Sequence, residues 1–393
     1  MSSWPTVSLA EISRKPQYGA IAKGRTLPPG PLFVRQTDIA GGRIDWETVP
    51  FCDLDADSAA RYELRRGDLL ISRLGNGVGN AATVTDDRDD AVFAGYLVRF
   101  QPNQEEADAR FVGYQLQSRR WRDHVTSFRS GAAQPTLNAQ QMGVFKFLLP
   151  PLPEQRAIAA TLGALDDKIE SNRRQRQLLR ELGLAEYQAS IGDGSRSLQL
   201  SAATVSIARG VAPKYADEDL DAALVINQKC IRDGWVSIAP ARRMHDRTVK
   251  PEKRASAGDI LVNSTGTGTL GRIARWHAGE IFVDGHVSVV KADRSVISPT
   301  VLTYSLLGRE ADIEGLATGS TGQTELSAAR LGELRVILPP AEQGSRLEST
   351  LLAIEDRCDQ LAAENMHLES IRDALLPGLL SGRIRVPVEG VEA

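Results

Sequence analysis

The stretch closest to a cofactor fingerprint is Gly266-x-Gly268-x-x-Gly271, with Asp284 near the place of a ribose-binding carboxylate. That pattern works when a helix opens directly after the glycines, so that its N-terminus meets a pyrophosphate. Here only the eight residues Arg272 to Gly279 precede the next expected strand, Glu280 to Val283, too few for such a helix. A counterpart loop, Gly75-Asn76-Gly77-Val78-Gly79, breaks the spacing altogether. Tight turns are the simpler reading of both. The histidines, His124, His245, His277, His286 and His367, are scattered without ligand spacing. No G-x-x-x-x-G-K-[ST] loop, no H-E-x-x-H and no nucleophile elbow occurs. The [NDS]-P-P-[YF] tetrad that adenine methylation needs is also missing. These observations point away from both a stand-alone methyltransferase and a nucleotide-dependent oxidoreductase.

What remains is local positive charge. Arg110 to Arg129 carries five arginines against Asp123, a net of +4, interleaved with Phe111, Tyr114, Trp121, His124 and Phe128. Lys229 to Arg254 carries eight basic residues, Arg242 and Arg243 among them, against three acidic ones, a net of +5. Such windows suit phosphate contact; a solvated helix face explains the first of them equally well. Over the whole chain of 393 residues the net charge is −3, so any polyanion surface must be local.

The length suggests two or three domains, each able to bury its own core. No apolar run reaches the ~20 residues that span a bilayer, and Met1 to Pro5 open no basic region followed by an apolar core, so no secretion signal is expected. Cys52, Cys230 and Cys358 are odd in number and far apart, which fits a reducing cytoplasm and no structural metal.

Those charged windows sit within an internal repeat. Val7 to Ile12 matches Leu198 to Ala203, and Phe33-Val34-Arg35-Gln36-Thr37-Asp38-Ile39 matches Val225-Ile226-Asn227-Gln228-Lys229-Cys230-Ile231. Gly67-Asp68-Leu69-Leu70-Ile71-Ser72 matches Gly258-Asp259-Ile260-Leu261-Val262-Asn263, and each feeds one of the glycine loops. Gln134 to Asn138 matches Gln323 to Ser327; strands are expected next, at Val144 to Leu149 and Glu333 to Leu338. The offset drifts only between about 188 and 192, so the period is a whole domain plus a helix rather than a short solenoid unit.

Each copy ends on a double proline and a long helix: L-P-P-L-P-E-Q from Leu149 and L-P-P-A-E-Q from Leu338. Proline suits a helix start and not its interior. In the first helix Ile158, Leu162, Leu165, Ile169, Asn172, Arg176 and Leu179 step alternately by four and three; so do Leu347, Leu351, Ile354, Cys358, Leu361, Asn365 and Leu368 in the second. One such stripe also suits a helix lying on a domain core, but two helices of similar length after duplicated domains favour a heptad seam between them, with Asn172 and Asn365 as polar interruptions able to fix register. Arg173, Arg174, Arg176 and Arg180 are expected on its solvated side. The second helix is expected to run to Leu376, ahead of Pro377-Gly378.

Together the paired helix entries, the G-D-L-L-I-S and G-D-I-L-V-N strands with their glycine loops, the opening Trp4-x-x-Val7-x-Leu9 and the ending Leu379 to Val386 resemble the specificity subunits of type I restriction–modification systems. The resemblance covers essentially the whole chain. It implies a mixed α/β protein: target-recognition domains at 1–150 and 193–338, and spacer helices at 151–192 and 339–386 pairing as an antiparallel coiled coil with pseudo-twofold symmetry. The tail at 387–393 has nothing to pack against and is expected to be disordered. The resemblance further implies a split double-stranded DNA target, two methyltransferase subunits docked on the helices and nuclease–translocase subunits joining for restriction. Those partners would bind S-adenosylmethionine, ATP and Mg, leaving no cofactor to this chain. A coiled-coil adaptor without DNA specificity is the alternative. One departure is visible: the second helix entry lacks the Leu-Pro pair before Glu342 and has Gly344-Ser345 after Gln343, which allows a looser start.

A helix from Glu154 to about Ala189 extends roughly 50 Å at ~1.5 Å per residue, longer than one DNA turn of ~34–36 Å. Under the resemblance, base contact is expected from polar side chains in or beside the duplicated loops, where they reach groove edges. In the first copy these are Arg35, Arg73, Asn76, Arg129 and Gln134; in the second Asn227, Lys229, Asn263, Thr267 and Gln323, with Arg242 and Arg243 from the basic window.

Overall fold

The computed structural model describes residues 4–128, 136–245, 248–266, 268–318 and 324–387, apart from the side chain of residue 40. The chain divides into two compact units, Met1–Ser171 with Ala363–Ala393, and Asn172–Ala362.

The strand at the centre of each unit follows directly from its residues. Leu69–Ser72 and Ile260–Asn263 are buried at every position, as apolar runs without alternation require when both faces are covered. Side chains alternate between two cores: Leu69 and Ile71 join Phe100, Phe111 and Phe147, whereas Leu70 joins Val34, Phe93 and Leu97. In the second unit Ile260 and Val262 face one core, and Leu261 the other.

Around these strands the two units repeat one topology. The first has an antiparallel sheet ordered Gln17–Tyr18, Leu97–Phe100, Leu69–Ser72, Ala81–Thr83; the second has Thr204–Arg209, Val287–Ala292, Ile260–Asn263, Ile273–Arg275. A mixed sheet beside it contains one parallel pairing, Ala91–Phe93 on Leu32–Val34 and Ile281–Val283 on Ala223–Ile226. A third pairing joins the start of each copy to the strand before its long helix: Thr6–Ser8 with Lys146–Leu148, and Arg196–Gln199 with Arg335–Leu338. The Gly-Asp turns are structural equivalents as well. Asp68 meets Arg99 at 3.1 Å and Asp259 meets Lys291, and each aspartate accepts a backbone N–H from its own turn, Arg65 at 3.0 Å and Ser256 at 2.8 Å. The sequence Gly266 to Gly271 leads into the strand Ile273–Arg275, not a helix.

The long helices span Leu152–Ala189 and Ala341–Leu380. Within the first unit they run antiparallel: Asn365 Nδ2 donates to Ile169 O at 3.1 Å, and Arg372 Nη1 to Asp166 Oδ1 at 2.9 Å. Within the second unit Cys358 Sγ lies 3.8 Å from Arg176 O, in the same sense. The seam serves two purposes. Ile158 and Leu162 pack into the first unit's globular core, and Leu347, Leu351 and Ile354 into the second's. Ile169 and Leu361 are buried outside those clusters, and Leu165 is half-buried.

Two expectations about the helices need correction. The second helix does not stop at Leu376 but continues through Pro377 to Leu380, because Leu379 and Leu380 are drawn into the first unit's core. Nor are Arg176 and Arg180 solvated. Their guanidinium groups stack on the Trp235 indole at 3.9 Å and 3.8 Å, an aromatic face that favours a cation and covers its stem. Arg173 and Arg174 are exposed, as expected. The tail beyond residue 387 lies outside the described residues.

Candidate nucleic-acid interface

Four segments meet at one place in each unit, and equivalent backbone hydrogen bonds fix them. The glycine loop is closed by Gly79 N to Ser72 O (2.8 Å) in the first unit and Gly271 N to Asn263 O (2.9 Å) in the second. The hairpin turn beside it is tied by Arg73 N to Tyr96 O (3.0 Å) and Ser264 N to His286 O (2.9 Å). The segment entering a short helix is tied by Leu137 N to Arg73 O (2.9 Å) and Leu326 N to Ser264 O (2.8 Å). The fourth segment, a 3-10 turn at Gln36–Asp38 or Gln228–Cys230, follows a strand that accepts from the hairpin turn: Ala94 N to Val34 O and Asp284 N to Ile226 O, both 2.9 Å.

Glycine is required where the loop ends. Gly79 and Gly271 have φ of +87° and +85°, and a Cβ there would stand 2.7 Å from Val125 Cγ2 and 2.6 Å from Glu310 O. The loop therefore lies directly on the helix behind it, Arg119–Ser127 in the first unit and Glu310–Gly315 in the second. Trp121 Nε1 also donates to Gly79 O at 2.7 Å.

Arginine braces the hairpin turn in both units, but from different places. Arg73 Nη1 donates to Gly95 O at 3.4 Å, and Arg209 Nε to Gly285 O at 2.7 Å. Asp284 lies beneath the second turn, accepting from His286 N at 2.8 Å and Tyr215 Oη at 3.2 Å. Burial, countered only in part by these donors, raises its pKa above the usual carboxylate value.

The expected DNA-contact residues fall into distinct situations. Asn76 and Lys229 are exposed on the cluster, and Arg73 is half-buried within it, its guanidinium 5.0 Å from the Tyr18 ring. Asn227 and Asn263 hold loops instead: Asn227 caps Lys229 N at 2.9 Å and donates to Pro240 O, and the fully buried Asn263 donates to Gln228 O at 3.0 Å. Arg35 pairs with the buried Asp38 at 2.7 Å. Arg242 grips Asp217 at 2.6 Å and covers Tyr215, while Arg243 Nη1 donates to Ala222 O at 2.6 Å. Arg129, Gln134, Thr267 and Gln323 lie outside the described residues. In the first basic window Phe111, Tyr114 and Trp121 are core, whereas Arg119, Arg120 and Arg122 are exposed.

Sequence reasoning missed Gln36 and Gln228, Tyr96 and His286, Thr265 and Arg209. A signal for the glutamines was present: in the matched turns V-R-Q-T-D-I and I-N-Q-K-C-I, glutamine recurs at the same place among changed neighbours.

Residues 51–181 match the family model for the type I restriction modification DNA specificity domain, a span that holds the first glycine loop, its hairpin turn and the helix entry. Over that span and beyond it the chain is similar to type I restriction–modification specificity subunits. Its likeness to relatives extends over nearly the full length. It is 22% identical to the type I restriction enzyme MjaX specificity subunit of Methanocaldococcus jannaschii, with 98% of this chain and 94% of that protein covered. It is 20% identical to the HindI specificity subunit of Haemophilus influenzae, with 98% of this chain and all (100%) of that protein covered. The solved S subunit of a type I restriction–modification system from M. genitalium shares the fold, with a TM-score of 0.53, 16% identity and 96% of each chain covered. In this chain the duplicated four-segment cluster keeps its backbone framework in both units while its side chains differ.

Proposed function

We propose that the chain is the non-catalytic DNA sequence-specificity subunit of a type I restriction–modification enzyme. Each globular domain reads one half of a split double-stranded target. Methyltransferase subunits dock along the long helices and nuclease–translocase subunits join them. S-adenosylmethionine, ATP and Mg are held by those partners, and this chain contributes recognition.

The observation that carries this reading is the repeated cluster. Both copies preserve the same backbone bonds to within about 0.1 Å, yet they display Arg73, Asn76 and Tyr96 in one unit and Lys229, Thr265 and His286 in the other. A common scaffold with exchanged polar side chains is what two different half-sites require, since phosphate contacts position a protein and base contacts specify. The relatives named as restriction enzyme specificity subunits support the same conclusion.

The test is selection from a random double-stranded DNA library by the full chain together with its methyltransferase partner. Enrichment of a two-part motif with an unconstrained gap is expected. Binding without sequence preference overturns the proposal.

A further inference from the structure

Within each cluster one side chain is repeated and one is exchanged. The repeated one is glutamine. Ser72 Oγ donates to Gln36 Oε1 at 3.1 Å, and Thr265 Oγ1 to Gln228 Oε1 at 3.3 Å, so a hydroxyl from the glycine-loop segment holds one end of each amide. The other end lies against the loop's first glycine: a Cβ on Gly75 would be 3.9 Å from Gln36 Nε2, and one on Gly266 would be 3.2 Å from Gln228 Nε2. Those glycines have φ of +68° and +102°, so a side chain is disfavoured there on backbone grounds as well. Both glutamines are half-buried, and the neighbouring glycines place no Cβ over their amides.

A glutamine with both carbonyl and amide groups able to reach a base edge pairs with adenine N6 and N7 in the major groove. A carbonyl oxygen that already accepts one hydrogen bond retains a second lone pair for this. Fixing the side chain in advance reduces the rotamer entropy lost on binding.

The exchanged side chain sits on the hairpin turn. Tyr96 is 57% exposed. His286, at the same place and tied by the same backbone bond, is also exposed, and its Nδ1 shares a 2.7 Å hydrogen bond with Thr265 Oγ1. That bond leaves Nε2 without a protein partner among the described residues. A phenol and an imidazole offer different donor and acceptor patterns to the same groove position.

From this arrangement we infer that Gln36 and Gln228 are base-reading amides, each recognising an adenine in its own half-site, and that Tyr96 and His286 make the two half-sites differ. The inference rests on the specificity role proposed above and assigns that role to four side chains. Neither Asn227 nor Asn263 is included, because both are engaged in holding the loops.

The experiment repeats the library selection with the full chain and its methyltransferase partner, using Gln228→Ala and His286→Tyr alongside the unsubstituted protein. Gln228→Ala should reduce preference for adenine at one position of one half-site by about 5- to 150-fold, the range for one good bidentate contact. His286→Tyr should change the preferred base at one position of that half-site. In both cases the other half-site should stay as it was. Gln36→Ala should act on the opposite half-site alone.

If the unsubstituted protein selects a two-part motif and both second-unit variants select the same motif unaltered, the inference is overturned while the specificity role stands. Uniform weakening on all sequences, with a salt slope shallower by about one, marks a phosphate contact and equally overturns it. If the unsubstituted protein selects nothing, it is the specificity role itself that fails.

Discussion

Tyr304 Oη donates to Glu355 Oε1 across 2.7 Å, linking a globular-domain helix to a long helix within one unit. Tyr114 and Asp166 repeat the arrangement in the other unit at 2.6 Å. Burial, and then the adjacent carboxylate, push the Tyr304 hydroxyl well up, so it remains a donor at any working pH. Glu355 is 1% exposed and also has Arg275 and His277 within 3.9 Å and 3.5 Å.

Removing that donor leaves a buried carboxylate short of a partner. Tyr304→Phe should cost about 1.5–3 kcal/mol, the range for a hydrogen bond to a charged group. Tyr114→Phe should cost less, because Arg372 still holds Asp166 at 2.9 Å. Urea unfolding of the two variants decides the order; equal losses would show that Arg372 does not compensate.

The two helix entries are unequal. Gln155, fully buried, donates to Pro150 O and Glu106 O at 2.8 Å and 2.9 Å and accepts from Asp108 N at 2.8 Å. Its counterpart Gln343 is exposed. Gln155→Ala should therefore destabilise by about 1–3 kcal/mol by orphaning buried backbone groups, and Gln343→Ala by less than about 0.5 kcal/mol. A comparable loss from Gln343→Ala in chemical denaturation would show that the Leu-Pro deletion has been made good elsewhere.

Asp284 gives a pH dependence of definite sign. Its folded pKa is raised, so its contribution to stability is fully present below the unfolded value of ~3.9 and is lost as pH rises through the folded value. Asp284→Asn retains an acceptor for His286 N–H and removes the buried charge. Relative to the unsubstituted chain, the variant should gain stability between pH 4 and pH 7. Urea midpoints at those two values test this, and a gap that shrinks towards neutrality would refute it.

The thiols should be inert in the folded protein. All three, Cys52, Cys230 and Cys358, are buried, and burial raises each pKa, with Cys358 pushed up to about 11. An aromatic disulfide reagent at pH 8 should label none of them in native protein and all three in denaturant. Rapid native labelling of Cys358 would show that the long-helix seam opens.

Much of this architecture is carried by short-range pattern. Leu69 to Ser72 and Ile260 to Asn263 read as buried strands because each puts three consecutive large aliphatic residues directly after a Gly-Asp turn. Ile158, Leu162, Leu347 and Leu351 announce a buried helix stripe by spacing alone, and duplication at a nearly constant offset declares two domains of one design. Each of these is a statement about neighbours within one or two turns of chain, which periodicity records directly.

Only the tertiary structure decided which polar residues are free to meet a ligand. Asn227 and Asn263 have the side chains that a groove reader needs, but Pro240 O and Gln228 O claim them. Arg176 and Arg180 look solvated until Trp235, more than fifty residues on, lies against them. Gln36 acquires its setting from Ser72 and Gly75, and His286 its setting from Ser264 and Thr265. Whether an amide or a guanidinium is spent on the fold or left for recognition depends on partners distant in sequence, and no local pattern encodes that choice.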